Sequence, residues 1–297
     1  MNRVRVLINA RSVLWWSGGA VQQALNQYWD QPGTDLTYQF SKSAEDGQRK
    51  ARQAMAEGVE TILVVGGDGM VNSIGAALVG SRVALGVVPG GSGNGFARHF
   101  GIPLSPEKAV QALLGADRRV IDIGLVNGRA FLVTCSLAWD AALLRTFEKF
   151  PLRGVLSYVV AAATELLGYV PQPFEVELDG GKKMTFSDPV VFTAANLTQY
   201  GGGAQIAPQA CPHDEMLELV VISSQDVPRL LASVNRLFDG TFDELPGVFT
   251  RKFRRMWVHR TAAAPIQVDG ELIEPTQDVT IEVLPQALTV LVPRGIA

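Results

Sequence analysis

Apolar residues fall in short continuous runs along the first part of the chain and in alternating runs along the rest. "RVRVLINA" (3–10), "LTYQF" (36–40), "ETILVVGG" (60–67) and "RVALGVVPGG" (82–91) read as strands, rich in β-branched residues and bounded by turn formers. Between them, "SAEDGQRKARQAMAEG" (43–58) and "MVNSIGAALVG" (70–80) read as helices that close on Gly58 and Gly80, and "NGFARHFG" (94–101) begins another. Nearly continuous apolar strands alternating with helices predict a parallel sheet covered on both faces. From "RRVIDIGLVNGRAFLVTCSLA" (118–138) onward strands follow one another, with turn signals at Asn127–Gly128, Asp179–Gly180 and Asp269–Gly270. Helical stretches interrupt at 141–149, 152–169 and 227–240. The expected organisation is an α/β domain with a parallel sheet over 1–124 and a mainly antiparallel β domain over 125–285. The last strand (287–293) can return to either.

Composition narrows the class without naming it. The chain of 297 residues is 47% hydrophobic with a formal net charge of −3, which gives no whole-molecule case for nucleic acid. Two cysteines, Cys135 and Cys211, point to a reducing compartment rather than a disulfide scaffold. The first residues carry too short an apolar run for a signal peptide, and "VLSYVVAAATELLGYV" (155–170) is short for a membrane span and contains Glu165. A cytoplasmic protein is expected, with room for peripheral membrane attachment and for a homodimer.

Two glycine-rich loops sit at consecutive strand ends, "GGDG" (66–69) and "PGGSGNGFAR" (89–98). Ligands of open parallel sheets bind outside the carboxyl ends of the strands, and bare backbone opening a helix suits an anion. A phosphorylated ligand is therefore expected at Gly66, Gly67, Asp68, Gly69, Gly91, Ser92 and Asn94. No Walker loop is present, and "GDGMVN" and "GNGFAR" both fail the dinucleotide fingerprint. Asp68 would face the phosphates, where an acid is repelled unless it serves Mg²⁺ or orients a water; the plainer alternative is a helix cap. Downstream, "PIQVDGELI" (265–273) is a hairpin signal, yet Asp269 and Glu271 at i and i+2 would project to one side of a strand, suiting a general base and a metal-linked partner.

These stretches, in this order, resemble the catalytic domain of the diacylglycerol kinase and sphingosine kinase superfamily, and most closely the soluble bacterial lipid kinases. "VVGGDGMVNSI" is similar to the family's G-G-D-G-T loop, "VPGGSGNGFARHFGIP" to its P-x-G-T-x-N-D-F-A-R segment, and "YGGGAQIAPQACPHDEMLELVVI" (200–222) to G-G-G-x-x-x-A-P-x-A-x-x-D-G-x-L. The resemblance covers almost the whole chain. It implies a Rossmann-like nucleotide-binding domain, a β-sandwich domain, and ATP-dependent phosphorylation of a lipid hydroxyl. By position, Asn9, Ser41 and Ser92 would join the glycines in holding nucleotide, and Asp269 would take the hydroxyl proton with Glu271 and Asp68 in the Mg²⁺ network. Asp214, with backbone carbonyls near Cys211 and Met216, would hold a structural Mg²⁺.

The chain also departs from the pattern. Met70 replaces the threonine of G-G-D-G-T, Ser73 stands where an acid is usual, Gly95 replaces the acid of N-D-F-A-R, and Glu215 replaces the glycine of D-G-x-L. A kinase for a soluble alcohol such as NAD, or a catalytically weak lipid or nucleotide binder, therefore stays open beside the lipid kinase. For a lipid substrate at a membrane surface, "FTRKFRRMWVHR" (249–260) and "LLRTFEKFPLRG" (143–154) are the candidate contact patches, the alternative for the first being a solvated basic strand.

Overall fold

The computed structural model describes residues 2–10, 19–139 and 169–295. The helices expected at 141–149 and 152–169, the patch at 143–154 and most of the apolar stretch at 155–170 lie outside these residues. The chain divides into two compact units: residues 1–123 with Gln199–Gly203 and 284–297, and Gly124–Thr198 with Ala204–Val283.

The first unit is built on parallel strands β1 (Asn2–Asn9), β2 (Thr34–Ser41), β3 (Thr61–Gly66) and β4 (Ala84–Pro89). They are ordered β4-β3-β1-β2, and the end of the last strand of the chain runs parallel beside β4, with Val290 opposite Leu85. Every residue of β3 and β4 is buried, the outcome expected of continuous apolar strands covered on both faces. Helices α1 (Ala20–Trp29), α2 (Ala44–Ala56), α3 (Asp68–Leu78), α4 (Gly95–His99) and α5 (Pro106–Leu114) surround them. Two of these, α1 and α5, arise where the apolar pattern marked no element. They pair with each other, and Trp29 Nε1 donates to Val110 O at 3.0 Å. Ser43 caps α2 by accepting the Asp46 N–H at 3.2 Å.

The second unit is antiparallel. It comprises the end of β5 (Asp117–Val126), β6 (Arg129–Phe131), β7 (Thr134–Ser136), β8 (Phe174–Leu178), β9 (Met184–Phe186), β10 (Pro189–Ala195), β13 (Leu217–Ser223), β14 (Val248–Phe253), β15 (Arg255–Val268) and the first part of β16 (Glu271–Val292). A short ribbon, β11 (Gln199–Gly201) with β12 (Ala204–Gln205), precedes β13. The main strand order is β14-β13-β10-β7-β15-β16, and the first half of β15 pairs instead with β8. Alternate residues of these strands meet in one apolar core around Phe131, Phe174, Phe192, Phe253, Met256, Val258 and Ile281. Opposite faces of β10 and β13 pack with Ile206, Ala207, Phe242 and Leu245 in a second, smaller core.

β15 changes partners through register shifts between His259 and Ile266, and this irregularity leaves carbonyls without ladder partners. Arg260, fully buried, supplies them: its guanidinium donates to Leu137 O at 3.3 Å, Ala264 O at 2.7 Å, Pro265 O at 3.4 Å and Thr276 O. Burial lowers the pKa of this arginine. The basic run at 249–260 is divided: Arg251, Lys252, Arg254 and Arg255 are exposed, the last three in ion pairs. Arg260 is inside, Lys252 pairs with Asp214 at 2.5 Å, Arg254 with Glu215 at 3.2 Å and Arg255 with Glu282 at 3.9 Å. The helical stretch at 227–240 is two short helices, α6 (Val227–Ala232) and α7 (Arg236–Asp239). No helix among the described residues is long and apolar enough to cross a membrane.

One buried acid makes stability depend on pH. Glu218 on β13 is 4% exposed, and desolvation pushes its carboxyl up to about 7, against attraction from Lys252 and with repulsion from Asp243 and Asp214 adding to the rise. The folded chain thus holds this proton more tightly than the unfolded chain does. Stability falls as pH rises from the ordinary value of 4.5 toward about 7 and then levels. Glu218→Gln should remove this slope. In urea unfolding it should gain up to about 3 kcal/mol over wild type above the folded pKa, and nothing below the unfolded one. A constant gain or loss at every pH would show that Glu218 does not titrate in this way.

Candidate functional site

In the first unit the chain places every expected nucleotide residue at the carboxyl ends of the strands. Asn9 and Ser41 end β1 and β2 opposite each other, and Gly66 ends β3 opposite Pro89 of β4. Because β1 has β2 on one side and β3 on the other, its end is the topological switch point, where open parallel sheets bind ligands. The helix α3 that follows the first loop has Gly67 at its N-cap and no side-chain cap hydrogen bond.

The two glycine loops touch backbone to backbone. Gly90 N donates to Gly66 O at 2.8 Å, and a Cβ on Gly91 would lie 2.7 Å from Gly67 Cα, closer than real atoms approach. Asp68 fastens them. Its carboxylate faces the start of α4, where the backbone N–H groups of Asn94, Gly95 and Phe96 and the charge of Arg98 favour its ionised form. Desolvation is the larger effect and raises its pKa. Gly93 lies beside it, and a Cβ there would sit 2.6 Å from Asp68 Oδ2 and push the carboxylate aside. Asp68 stands in the first turn of its own helix, and its carboxylate faces the start of the neighbouring one.

Other expected contacts are also turned inward. Asn94, in the left-handed region at φ 51, closes the second loop by exchanging bonds with Gly91, accepting N–H at 3.0 Å and donating to the carbonyl at 2.8 Å. Ser41 is 3% exposed and donates to Ser43 O at 2.7 Å. Gly69, Gly91 and Ser92 remain exposed on the loops. A third loop that the sequence reading left without a role joins them: Gly202 N donates to Gly93 O at 2.9 Å, and residues 199–203 belong to this unit.

Two of the departures from the family pattern have local explanations. Met70 is buried and folds back over Gly66, its sulfur 3.1 Å from where a Cβ would stand. Ser73 donates to Ala44 O at 2.9 Å, tying α3 to α2. Gly95 is buried, and a Cβ there would make ordinary contact with Gln199 Cβ at 3.5 Å; the structure gives no reason for the missing acid.

In the second unit Asp269 and Gly270 are the two central residues of a hairpin turn, with φ 49 and 86, and Val268 faces Glu271. The two acids therefore do not share one side of a strand, as their spacing suggested, because the chain reverses between them. Glu271 begins β16 and pairs with Arg129 at 2.9 Å, both about half exposed. Asp269 is 9% exposed and turns back into the unit, where its carboxylate accepts from Leu132 N at 2.6 Å, Val133 N at 2.8 Å and Thr134 N at 3.0 Å. Asn196 holds the other edge of the same break between β6 and β7: its side chain donates to Leu132 O and its backbone to Val133 O, each at 2.9 Å. Sequence reasoning missed Asn196, which nothing but its following apolar strand marks.

The donor set expected for a structural Mg²⁺ does not fit the ion. Asp214 Oδ2 lies 2.5 Å from Lys252 Nζ and its Oδ1 accepts the Met216 N–H at 3.1 Å. Among the described residues no three His, Cys, Asp or Glu side chains gather as an ion site.

Comparison with known proteins accords with this architecture. Residues 3–126 match the diacylglycerol kinase catalytic domain, and residues 134–292 match the YegS C-terminal NAD kinase beta sandwich-like domain. A Mycobacterium tuberculosis (strain CDC 1551 / Oshkosh) diacylglycerol kinase is 29% identical over 270 residues, covering 88% of this chain and 86% of that protein. The Salmonella typhimurium protein named "Probable lipid kinase YegS" is 28% identical over 256 residues, covering 84% and 83%. The crystal structure of a diacylglycerol kinase from Bacillus anthracis superposes with a TM-score of 0.71 at 19% identity, covering 100% of this chain and 98% of that one, a likeness of fold. With a parallel α/β unit matching the one domain and an antiparallel unit matching the other, the chain belongs to the diacylglycerol kinase and YegS family of lipid kinases.

Proposed function

We propose that this protein transfers the γ-phosphoryl group of ATP to the hydroxyl of a lipid of the diacylglycerol or sphingoid kind. The observation that carries the reading is the pair of glycine loops pressed together at the carboxyl ends of β3 and β4, with an uncapped helix N-terminus behind the first. Such a surface of bare backbone suits the phosphates of a nucleotide. In the reaction the bond between the γ-phosphorus and the oxygen bridging it to ADP breaks. A bond from the lipid hydroxyl oxygen to that phosphorus forms, and the hydroxyl proton goes to Asp269. Mg²⁺ entering with the nucleotide would neutralise phosphate charge. The protein's own part is to hold and orient. Gly66–Gly69 and Gly91–Ser92 grip phosphate, Asn9 and Ser41 shape the strand ends, and Asp68 keeps the two loops in register.

Three N–H donors fix the orientation of the Asp269 carboxylate, and they also couple catalysis to stability. In Asp269→Asn one amide hydrogen must face a backbone N–H, costing about 1–3 kcal/mol. The variant should melt earlier and, assayed below its transition with ATP still bound, lose at least 10²-fold in turnover, the scale of a lost general base. Wild-type turnover under those conditions would remove Asp269 from the chemistry and leave it a structural anchor. Asp68→Asn should lower the nucleotide-free Tm and weaken ATP binding together, because the clasp between the loops is lost. A shift only in the Mg²⁺ requirement, with Tm unmoved, would make Asp68 a metal ligand instead.

The acceptor is decided by following labelled γ-phosphate from ATP into mixed micelles of diacylglycerol, monoacylglycerol, phosphatidylglycerol, sphingosine and ceramide. Label in one lipid, absent with Asp269→Asn, is the expected result. Label entering a water-soluble alcohol but no lipid would overturn the lipid assignment, and ATP binding without transfer would mark a protein that has lost its chemistry.

A further inference from the structure

We infer that the loop at 211–216 is held by two side-chain cations, Lys252 and Arg254, in place of a divalent metal ion. The inference rests on the family reading only for the expectation of a metal there.

Lys252 lies near the end of β14 and Arg254 just beyond it. The chain bends at Arg254, and Phe253 between the two cations is fully buried in the main core. From either side of this anchored phenylalanine both cations reach the loop, Lys252 at Asp214 and Arg254 at Glu215. Lys252 Nζ meets Asp214 Oδ2 at 2.5 Å, and the other carboxylate oxygen accepts the Met216 N–H. Ca²⁺ or Mg²⁺ takes six or more oxygen ligands, or fewer with several waters, and carries two charges. Binding here would require it to displace an ammonium from the only carboxylate of its expected donor set, against like-charge repulsion.

Glu215 supplies the second observation. The family pattern has glycine at this turn, and the turn needs it, for Glu215 stands at φ 59 in the left-handed region that side chains disfavour. A glutamate gives up that freedom, yet its carboxylate reaches Arg254 NH2 at 3.2 Å. Loss of the glycine and gain of an ion pair occur at one residue, next to the aspartate that Lys252 neutralises. The loop carries its own counter-charges.

The test uses nucleotide-free full-length protein and no kinase assay, so its outcome is independent of the proposed activity. Thermal melting in EDTA and in millimolar MgCl₂ or CaCl₂ should give the same Tm for wild type, and Mn²⁺ titration followed by electron paramagnetic resonance should show no stoichiometric site. Lys252→Met should melt earlier in EDTA and recover part of the loss when Mg²⁺ or Ca²⁺ is added, because Asp214 is then open to an ion. Arg254→Ala should lower Tm more in the wild-type background than in Glu215→Gly, which has no carboxylate to lose. A wild-type Tm that falls in EDTA, or one tightly bound Mn²⁺ per chain, would overturn the inference even if Lys252→Met fails to fold. Equal effects of Arg254→Ala in both backgrounds would remove Arg254 from it.

Discussion

A backbone that leaves its regular ladder must find partners elsewhere, and in both units of this chain a single aspartate provides them. Asp68 faces the N–H groups of residues 94–96, and Asp269 accepts those of residues 132–134. Unpaired, these groups would each carry the cost of a buried, unsatisfied donor. A carboxylate meets such a row well because it has two oxygens and no proton to point the wrong way. The glycine loops, the break between β6 and β7, and the hairpin at Asp269–Gly270 all depend on this one kind of contact. An asparagine would serve two donors and oppose the third.

Elements set by local patterning were legible in the sequence, as were the residues that end them. The continuous apolar runs became the buried strands β3 and β4, and Asn127–Gly128 and Asp269–Gly270 became hairpin turns, because period and turn chemistry are properties of neighbours along the chain. The glycine loops were also visible. What stayed hidden depends on residues far apart: the partners of Asp68, the role of Asn196, and the burial of Arg260 inside a run that looked like a basic surface. The misread spacing of Asp269 and Glu271 has the same root. An i, i+2 rule holds within a strand, and the turn signal that cancels it was in the same five letters. The helices α1 and α5 went unmarked because their stability comes from packing on each other and not from strong local signals.

The departures from the family pattern read differently once their surroundings are known. Met70 and Ser73 turn inward, to the strand end and to α2, and Gly95 lies buried beside Gln199. None of the three requires the loops to change course. The family relation and the altered residues are therefore compatible: the phosphate-facing surface is backbone, and backbone is what the substitutions leave in place.

Arg260 sets a limit on how this sequence can drift. Its planar fork serves carbonyls from three separate segments, at 137, at 264–265 and at 276, in a fully buried position. Lysine has one ammonium and could not span them, and an apolar residue would strand all of them at once. The segments are thus tied to one codon, and to each other through it. An insertion or a bulge that moved any one of them would have to carry the guanidinium along, so length changes in this half of the chain are confined to loops that Arg260 does not touch.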